Sequence, residues 1–395
     1  MASSPLLRLI SALAMLMVLS SSYWILGFHP SVVTHAALYL PSSNRDFMTG
    51  LDGDPSPRLA QNETLGVASS IYVVSLPRRT DRRATMERLR QALSLTWTYI
   101  DAVQPDDLGV INIMNHVRTF RERSQRRHDS PGSDLVDSGR FDWINDSDFD
   151  SLPLGAANNS PASSDDLLPL TCATTNLIDG PAFSSSIPAH MVLTTAKIAC
   201  WYSHLEVIRR IAQSGFTQTS RLRPGLIGPT SLDGSLHGDD VSVILEDDVD
   251  MERDIRERLL AVWHLLPREW DIVFLGHCWS NESFHSPVAD NSPAQNSTSL
   301  RGVSLHPSFA PRCTHAYALT TSGARRLLLH LRHPPFAYSR AFDQALSWLV
   351  SSGRLKAFSI VPSVVVQRKI VAGDIDPGAR GTGSTWRDHL LNGVF

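Results

Sequence analysis

The chain has 395 residues, of which 42% are hydrophobic and 19% are charged, a composition that fits one large or two ordinary globular domains. Its formal net charge is -3, and no basic stripe interleaved with aromatic residues runs along it, which argues against a nucleic-acid-binding protein. The four cysteines show no CxxC or Cys/His spacing, so the sequence does not predict a zinc site.

The amino-terminal region predicts a membrane anchor. Residues 9–28 are uncharged and apolar, and at about 1.5 Å per residue they span the roughly 30 Å hydrocarbon core of a bilayer. Small residues at 20–22 leave a cleaved signal peptide as the alternative, but Tyr23 and Trp24 prolong the apolar run, which favours an uncleaved signal anchor. Arg8 precedes the run, so residues 1–8 are predicted to be cytoplasmic and the rest lumenal.

Two features agree with a lumenal location. Acceptor triplets for N-glycosylation occur in polar or loop-like sequence at Asn62, Asn145, Asn158, Asn281 and Asn296. Cys278 and Cys313 flank a loop between two core segments and could form a disulfide, as is usual in an oxidising compartment. Cys200 lies at the start of an apolar helix and is interpreted as a buried thiol.

The first half of the chain divides into a stem, an ordered start and an insertion. Residues 29–68 lack a sustained period and predict a stem, so the catalytic domain is expected over 69–395. A strand is predicted over 71–76, a helix over 84–93 with Thr80 or Asp81 as its cap, and a second strand over 97–100. Residues from about 104 to 190 predict a low-complexity insertion without structure of its own, except for a helical pattern at 108–123.

The second half alternates between strand and helix patterns. Helices are predicted over 196–212, 251–266, 322–331 and 342–349, and strands over 241–245, 270–276, 315–319 and 358–366. Such alternation predicts an α/β fold, with a mostly parallel sheet flanked by helices.

Three adjacent acids follow the predicted strand 241–245. In open α/β sheets ligands bind beyond the carboxyl ends of strands, which is where Glu246, Asp247 and Asp248 lie. Adjacent carboxylates repel one another, so the cluster predicts a hard cation, Mg²⁺ or Mn²⁺, of the kind that bridges substrate phosphates. The alternative is a solvated acidic turn that starts the helix 251–266.

A basic turn follows the first predicted strand. Four arginines lie between that strand and the next helix: Arg78, Arg79, Arg82 and Arg83. Guanidinium groups and free backbone amides at a helix start favour an anion site. The alternative is that these arginines are a solvated helix start.

The order of these motifs resembles glycosyltransferase family 25, the lipopolysaccharide-type and collagen galactosyltransferase-like enzymes, and most of all its membrane-anchored fungal members. The resemblance rests on 71–83, the Cys-Trp-Tyr-Ser-His run at 200–204, the acidic strand 244–249, and the segments 271–276, 316–324 and 343–346. It implies a GT-A fold with a Rossmann-like sheet, a UDP-hexose donor, a divalent metal (Mn²⁺ foremost, with Mg²⁺ possible) and inversion at the anomeric carbon.

The resemblance also implies roles for individual residues. Asp248 and Glu246 correspond to the metal ligands of an Asp-x-Asp motif, and Asp343 to the general base for the acceptor hydroxyl, with a helix cap as the alternative for Asp343. Residues implied in donor binding are Ser75, Leu76, Arg78, Arg79, Arg82 and Asp247. Asp374 matches a late acidic position and is a second candidate for the base. Lys197 stands where the family often has an acid, and the serine that usually precedes the late acid is missing.

The expected function is therefore transfer of a hexose, galactose foremost, to a glycan or glycoprotein acceptor at the Golgi or endoplasmic reticulum membrane. Two alternatives stay open. The chain could be a catalytically inactive, membrane-anchored scaffold of the same fold. It could also be a metal-dependent phosphoryl-transfer enzyme, since Asp248-Val-Asp250 resembles the start of a haloacid-dehalogenase-type motif, although Glu252 stands where that motif has Thr or Val.

Overall fold

The computed structural model describes residues 63–128, 168–175, 178–219, 240–289, 302–368 and 390–395. No helix in these ranges is both long enough and apolar enough to cross a membrane. The anchor predicted over 9–28 lies outside the described residues, as do most of the stem and the acceptor triplets at Asn62, Asn145, Asn158 and Asn296.

Nine strands form two sheets in the described ranges. They are β1 (Ser70–Ser75), β2 (Thr98–Asp101), β3 (Val241–Glu246), β4 (Val249–Met251), β5 (Ile272–Cys278), β6 (Ser304–Pro307), β7 (Arg312–Thr320), β8 (Ala357–Val361) and β9 (Val365–Gln367). Seven of them make one sheet in the order β2-β1-β3-β7-β5-β8-β6, while β4 and β9 form a separate antiparallel pair.

The large sheet is mixed. β2, β1 and β3 are parallel neighbours, as are β5 and β8, whereas β7 runs antiparallel to both β3 and β5, and β6 runs antiparallel to β8. Five of the seven strands therefore share one direction. The carboxyl ends of β1, β2 and β3 consequently lie at the same edge as the first residues of β7.

Helices cover both faces of the sheet. They are α1 (Thr80–Ala92), α2 (Leu108–His128), α3 (Thr195–Thr219), α4 (Ile255–Trp263), α5 (Thr321–Leu331) and α6 (Phe342–Ser351). The side chain of Ile244 packs on the face covered by α2, α3, α5 and α6. Its neighbours Val243 and Leu245 pack on the face covered by α1 and α4. Alternation along a strand buried on both sides thus produces the two cores of an α/β domain.

Several predicted boundaries were wrong. α1 begins at Thr80 rather than residue 84, and its N-cap is Arg79 without a side-chain cap bond, so neither Thr80 nor Asp81 caps it. The helix predicted from residue 251 is preceded by β4 and begins only at Ile255. The strand predicted over 358–366 is divided between β8 and β9.

The predicted stem and insertion also contribute to the core. Leu65, placed in the stem, is fully buried. Helix α2 extends the predicted 108–123 to His128 and buries Val110 and Ile113 against α3. Farther along, Thr171 pairs with Val192 in an isolated bridge, and Cys172 is buried. The described parts of 104–190 are therefore structural, because their apolar residues cover a face of the sheet that α3 does not cover alone.

Candidate functional site

A cavity of about 350 Å³ lies at the carboxyl ends of β1 and β3 and is bounded by α3 and α6. This is the edge at which ligands bind in open α/β sheets. The lining includes predicted site residues from four separate segments: Leu76, Arg82, Glu246, Asp247, Asp248 and Asp343. Its volume lies at the lower end of the range of about 300 to 1,000 Å³ that is usual for small-molecule sites.

The first acids of the run are joined to the basic turn through Arg82. The Nη1 of Arg82 donates to Asp247 Oδ1 at 2.8 Å and lies 3.1 Å from Asp248 Oδ2. Ser75, the last residue of β1, donates its hydroxyl to Asp247 Oδ2 at 2.8 Å. Asp247 is therefore held by β1 and α1, whereas Asp248 shares its arginine with a second acid.

Asp248 has less compensation than its neighbour. Gln367, at the end of β9, places its Nε2 3.3 Å from both carboxylate oxygens of Asp248. Burial raises the pKa of Asp248 to about 7, and the negative charge of Glu246 adds to the shift, although Arg82 acts against it. The raised pKa indicates an excess of negative charge around the carboxyl group of Asp248.

Glu246 is held by a chain of hydrogen bonds from the opposite side. Its Oε1 accepts a bond of 3.0 Å from the hydroxyl of Thr314 and lies 3.5 Å from Nε2 of His204. The Nδ1 of His204 is 2.9 Å from the hydroxyl of Tyr317, and its ring stacks on Phe342 with centroids 4.6 Å apart. Burial alone would raise the pKa of Glu246, but the hydrogen bond and electrostatic effect of His204 lower it below its ordinary value.

The later acids of the same run serve a different contact. Glu252 is 1% exposed, and its carboxylate accepts bonds from the backbone amides of Leu391 and Asn392 at 2.7 and 2.8 Å. Asp250 accepts from the amides of Val394 and Phe395 at 3.1 and 3.2 Å. We call residues 390–395 the docked segment. Asp250 is bonded to the docked segment and does not line the cavity that Asp248 lines.

Asp343 lies in the first turn of α6 and lines the cavity. Its Oδ1 accepts a bond of 2.8 Å from the amide of Gln344, and its Oδ2 accepts a longer one of 3.4 Å from the amide of Cys313. The local contact with Gln344 matches the helix-start interpretation, while the position in the cavity wall matches the proposed base.

Two of the predicted donor-binding arginines do not line this cavity. Arg78 is exposed, and Arg79 pairs with the exposed Asp81 at 3.0 Å. Arg83 instead ties β1 to β2, since it donates to the hydroxyl and carbonyl of Ser75 and to Asp101. Of the basic turn, Arg82 alone is part of the cavity lining.

Lys197 also lines the cavity, but its ammonium group is directed to the backbone. It donates to the carbonyl oxygens of Ala189, His190 and Val192 at 3.2, 2.9 and 2.6 Å. Lys197 therefore stabilises the turn before α3 through these three hydrogen bonds.

Glu246 and Asp248 are the residues of the cavity that could hold a metal ion. Within the described ranges, no three acidic, histidine or cysteine side chains come together as a complete metal site. Glu246 and Asp248 nevertheless both line the cavity. Mg²⁺-type ions are commonly held by one or two carboxylates, with water and substrate phosphates as the other ligands. The excess charge at Asp248 favours a cation, so these two residues fit such a site.

Some site residues were not singled out from the sequence. Thr314 lies just before the predicted strand 315–319, and Gln367 lies just after the predicted strand 358–366, so neither polar group gives a distinctive signal. Tyr317 and His204 appeared in the sequence only as parts of the segments 316–324 and 200–204. Asp374, the second candidate for the base, lies outside the described residues.

Cys278 and Cys313 are joined by a disulfide with Cα atoms 5.7 Å apart, the pair that the sequence suggested. It links the end of β5 to the start of β7 beside the cavity, which Cys313 lines. Cys200 is a free thiol that is only partly buried, whereas the sequence analysis interpreted it as a buried thiol.

No model of a known protein family matches this sequence, and comparison with curated proteins finds no significant match.

Proposed function

We propose that the protein is a metal-dependent inverting glycosyltransferase that transfers a hexose from a UDP-sugar to a hydroxyl of a glycan or glycoprotein acceptor. Galactose is the first donor sugar to test. We also propose that the domain has a GT-A fold similar to that of family 25. We propose in addition that the chain is a type II membrane protein of the Golgi or endoplasmic reticulum. The observation that carries the proposed activity is that Arg82, Glu246, Asp248 and Asp343 line one cavity.

The charges suit a diphosphate leaving group. Glu246 and Asp248 would hold a divalent metal, which would supply Lewis-acid stabilisation to the departing nucleoside diphosphate. Arg82 presents a guanidinium beside the same acids, and a planar donor of this kind binds phosphate oxygens well. The hydroxyl of Ser75 donates to Asp247 and so holds the carboxyl end of β3 in place.

The acceptor side requires a base. Inverting transfer needs one carboxylate that takes the proton from the attacking hydroxyl. Asp343 comes from a different element than the acids after β3 and lines the same cavity, so it suits this role. His204 and Thr314 hold Glu246 and leave it in its charged form.

The test measures release of UDP by the full chain, purified in detergent, from a panel of UDP-sugars with Mn²⁺ and then with chelator. We expect turnover of one donor that requires metal, is abolished in Asp248→Ala, and is retained in Glu269→Gln, which alters an exposed acid of a surface ion pair. Asp343→Asn should retain metal-dependent binding of UDP but lose transfer.

Three other outcomes have distinct meanings. Metal-dependent binding of UDP without turnover of any donor would mean that the assay lacks the acceptor. Turnover that survives both chelator and Asp248→Ala would overturn the metal assignment. If no uridine nucleotide binds, the scaffold alternative becomes the better explanation.

A further inference from the structure

The loop after β5 exposes aromatic side chains beside an acceptor triplet. Trp279 has φ +54° and is 68% exposed, and Phe284 is 60% exposed. Between them lies Asn281-Glu282-Ser283, the one triplet of the five whose asparagine falls within the described residues. Both rings therefore flank the triplet in the sequence and are largely exposed.

The triplet adopts a turn that presents its asparagine. Asn281 is exposed, and its side-chain oxygen accepts a bond of 2.8 Å from the hydroxyl of Ser283. The amide of Phe284 donates to the carbonyl of Asn281 at 3.0 Å, as in a β-turn. The hydroxyl of the third residue is thus already in contact with the carboxamide that would be modified.

The middle residue of the triplet fixes this turn to the domain. Glu282 is 1% exposed, and its carboxylate accepts bonds from the amides of Phe309 and Ala310 at 3.0 and 3.1 Å and from the hydroxyl of Ser359 at 2.8 Å. With Glu282 buried between them, Asn281 and Ser283 remain at the surface. A sugar on Asn281 therefore does not disturb the core.

The compartment is indicated by a separate observation. The disulfide Cys278–Cys313 comes directly before this loop. Disulfides persist in the oxidising secretory compartments and are rare in the cytosol. N-linked glycans are also added in the secretory compartment. Formation of the disulfide and glycosylation of Asn281 therefore require the same location.

We propose that Asn281 carries an N-linked glycan whose first sugar packs on the indole of Trp279. The donor class is an oligosaccharide linked to a lipid diphosphate. The amide nitrogen of Asn281 forms a bond to the anomeric carbon, the bond from that carbon to the diphosphate oxygen breaks, and the amide loses one proton as the lipid diphosphate departs. Trp279, two residues earlier, offers an apolar ring to the C–H groups of the attached sugar. This modification does not depend on the proposed transferase activity.

The experiment expresses the full chain in eukaryotic secretory cells with Asn62, Asn145, Asn158 and Asn296 all changed to Gln, so that Asn281 is the remaining acceptor. We expect one shift in gel mobility that a glycosidase removes, together with conversion of Asn281 to Asp in the released peptide. Both Asn281→Gln and Ser283→Ala should abolish the shift. The quadruple variant must also secrete or sediment like the wild-type chain, and if it does not, the Asn281 peptide of the wild-type chain is analysed by mass spectrometry instead.

The role of Trp279 has its own readout. Enzymatic removal of the glycan should lower the melting temperature of the wild-type chain, and should lower it less in Trp279→Ala. Phe395→Ala, which removes an aromatic ring from the docked segment instead, is the matched control and should keep the full loss. An unmodified Asn281 peptide in a chain whose disulfide has formed would overturn the site. Equal losses of melting temperature in the wild type and in Trp279→Ala would overturn the packing.

Discussion

The guanidinium of Arg82 lies 3.1 Å from Asp248 Oδ2 and is at the same time bonded to Asp247. One positive charge therefore serves two acids that the sequence places side by side. Stability and ligand binding are coupled at this contact, because any group that approaches the acids competes with Arg82 or replaces it.

Replacement of Arg82 by Ala should destabilise the protein and abolish donor turnover. Loss of one partner from a largely buried ion pair costs about 3 to 5 kcal/mol, and the partial exposure of Arg82 reduces this to about 2 to 4 kcal/mol. Urea denaturation of both proteins checks the value. The control is Arg79→Ala, which removes an arginine paired with an exposed acid and should cost about 1 kcal/mol or less. Equal losses in the two variants would contradict the assignment.

Asp248→Asn should stabilise the metal-free protein at pH 8 and not at pH 4. The pKa of Asp248 is about 7 in the folded protein, well above its ordinary value of 3.8. A raised acid pKa means that the folded state binds the proton more tightly, so the wild type loses stability as the pH rises from about 4 to about 7. The variant lacks this loss, and its advantage at pH 8 is at most about 4 kcal/mol.

The comparison requires unfolding curves at several pH values in the presence of chelator. Glu269→Gln is the control, because Lys356 lowers the pKa of this exposed acid and its effect has the opposite sign. If the free energy of unfolding changes with pH in parallel for the wild type and Asp248→Asn, the pKa of Asp248 is not raised in the folded state.

Tyr317→Phe should weaken catalysis through His204. The buried hydroxyl of Tyr317 lies 2.9 Å from Nδ1 of His204, whose other nitrogen faces Glu246. Its loss should cost about 1 to 2 kcal/mol of stability. If Tyr317 and His204 together position Glu246, kcat for sugar transfer should also fall. The number of UDP molecules bound per chain should stay the same. Tyr99→Phe, whose hydroxyl bonds Glu87 away from the cavity, should leave kcat unaltered.

Glu252→Gln should release the docked segment. The buried carboxylate accepts two backbone amide bonds, and bonds to a charged group contribute about 1.5 to 3 kcal/mol each. A neutral amide retains part of this, so we expect a loss of about 2 kcal/mol. Hydrogen exchange should accelerate at Leu391 and Asn392 in this variant and stay unchanged in Glu257→Gln, which alters an exposed acid at the start of α4. Unchanged protection in both variants would contradict the contact.

The sequence predicted the elements of the fold better than their arrangement. Period and β-branched composition located most strands and helices, since both are local signals. The direction of β7 was not predictable in this way, because a buried strand has the same apolar pattern whether it runs parallel or antiparallel. β4 and β9 were missed as a pair because each has three residues and the pairing spans more than a hundred positions.

At the site, residue type was informative where charge was concentrated. Glu246, Asp247, Asp248 and Arg82 were predicted as metal or donor-binding residues from their charge at a strand end and helix start, and all four line one cavity. The separate use of Asp250 and Glu252 was not predictable, since their partners are backbone amides of residues some 140 positions later. Backbone donors have no sequence signature.

The position of β7 also has a consequence for synthesis of the protein. β7 separates β3 from β5 in the middle of the sheet, so these two strands share no hydrogen bonds with each other. During translation, a nascent chain in which Thr320 has not yet been synthesised has a sheet with an open centre and unpaired edges on β3 and β5. Such edges are prone to wrong pairing. Molecular chaperones that bind exposed strands should therefore associate with translation intermediates that end before residue 312. They should dissociate once β7 is inserted into the sheet.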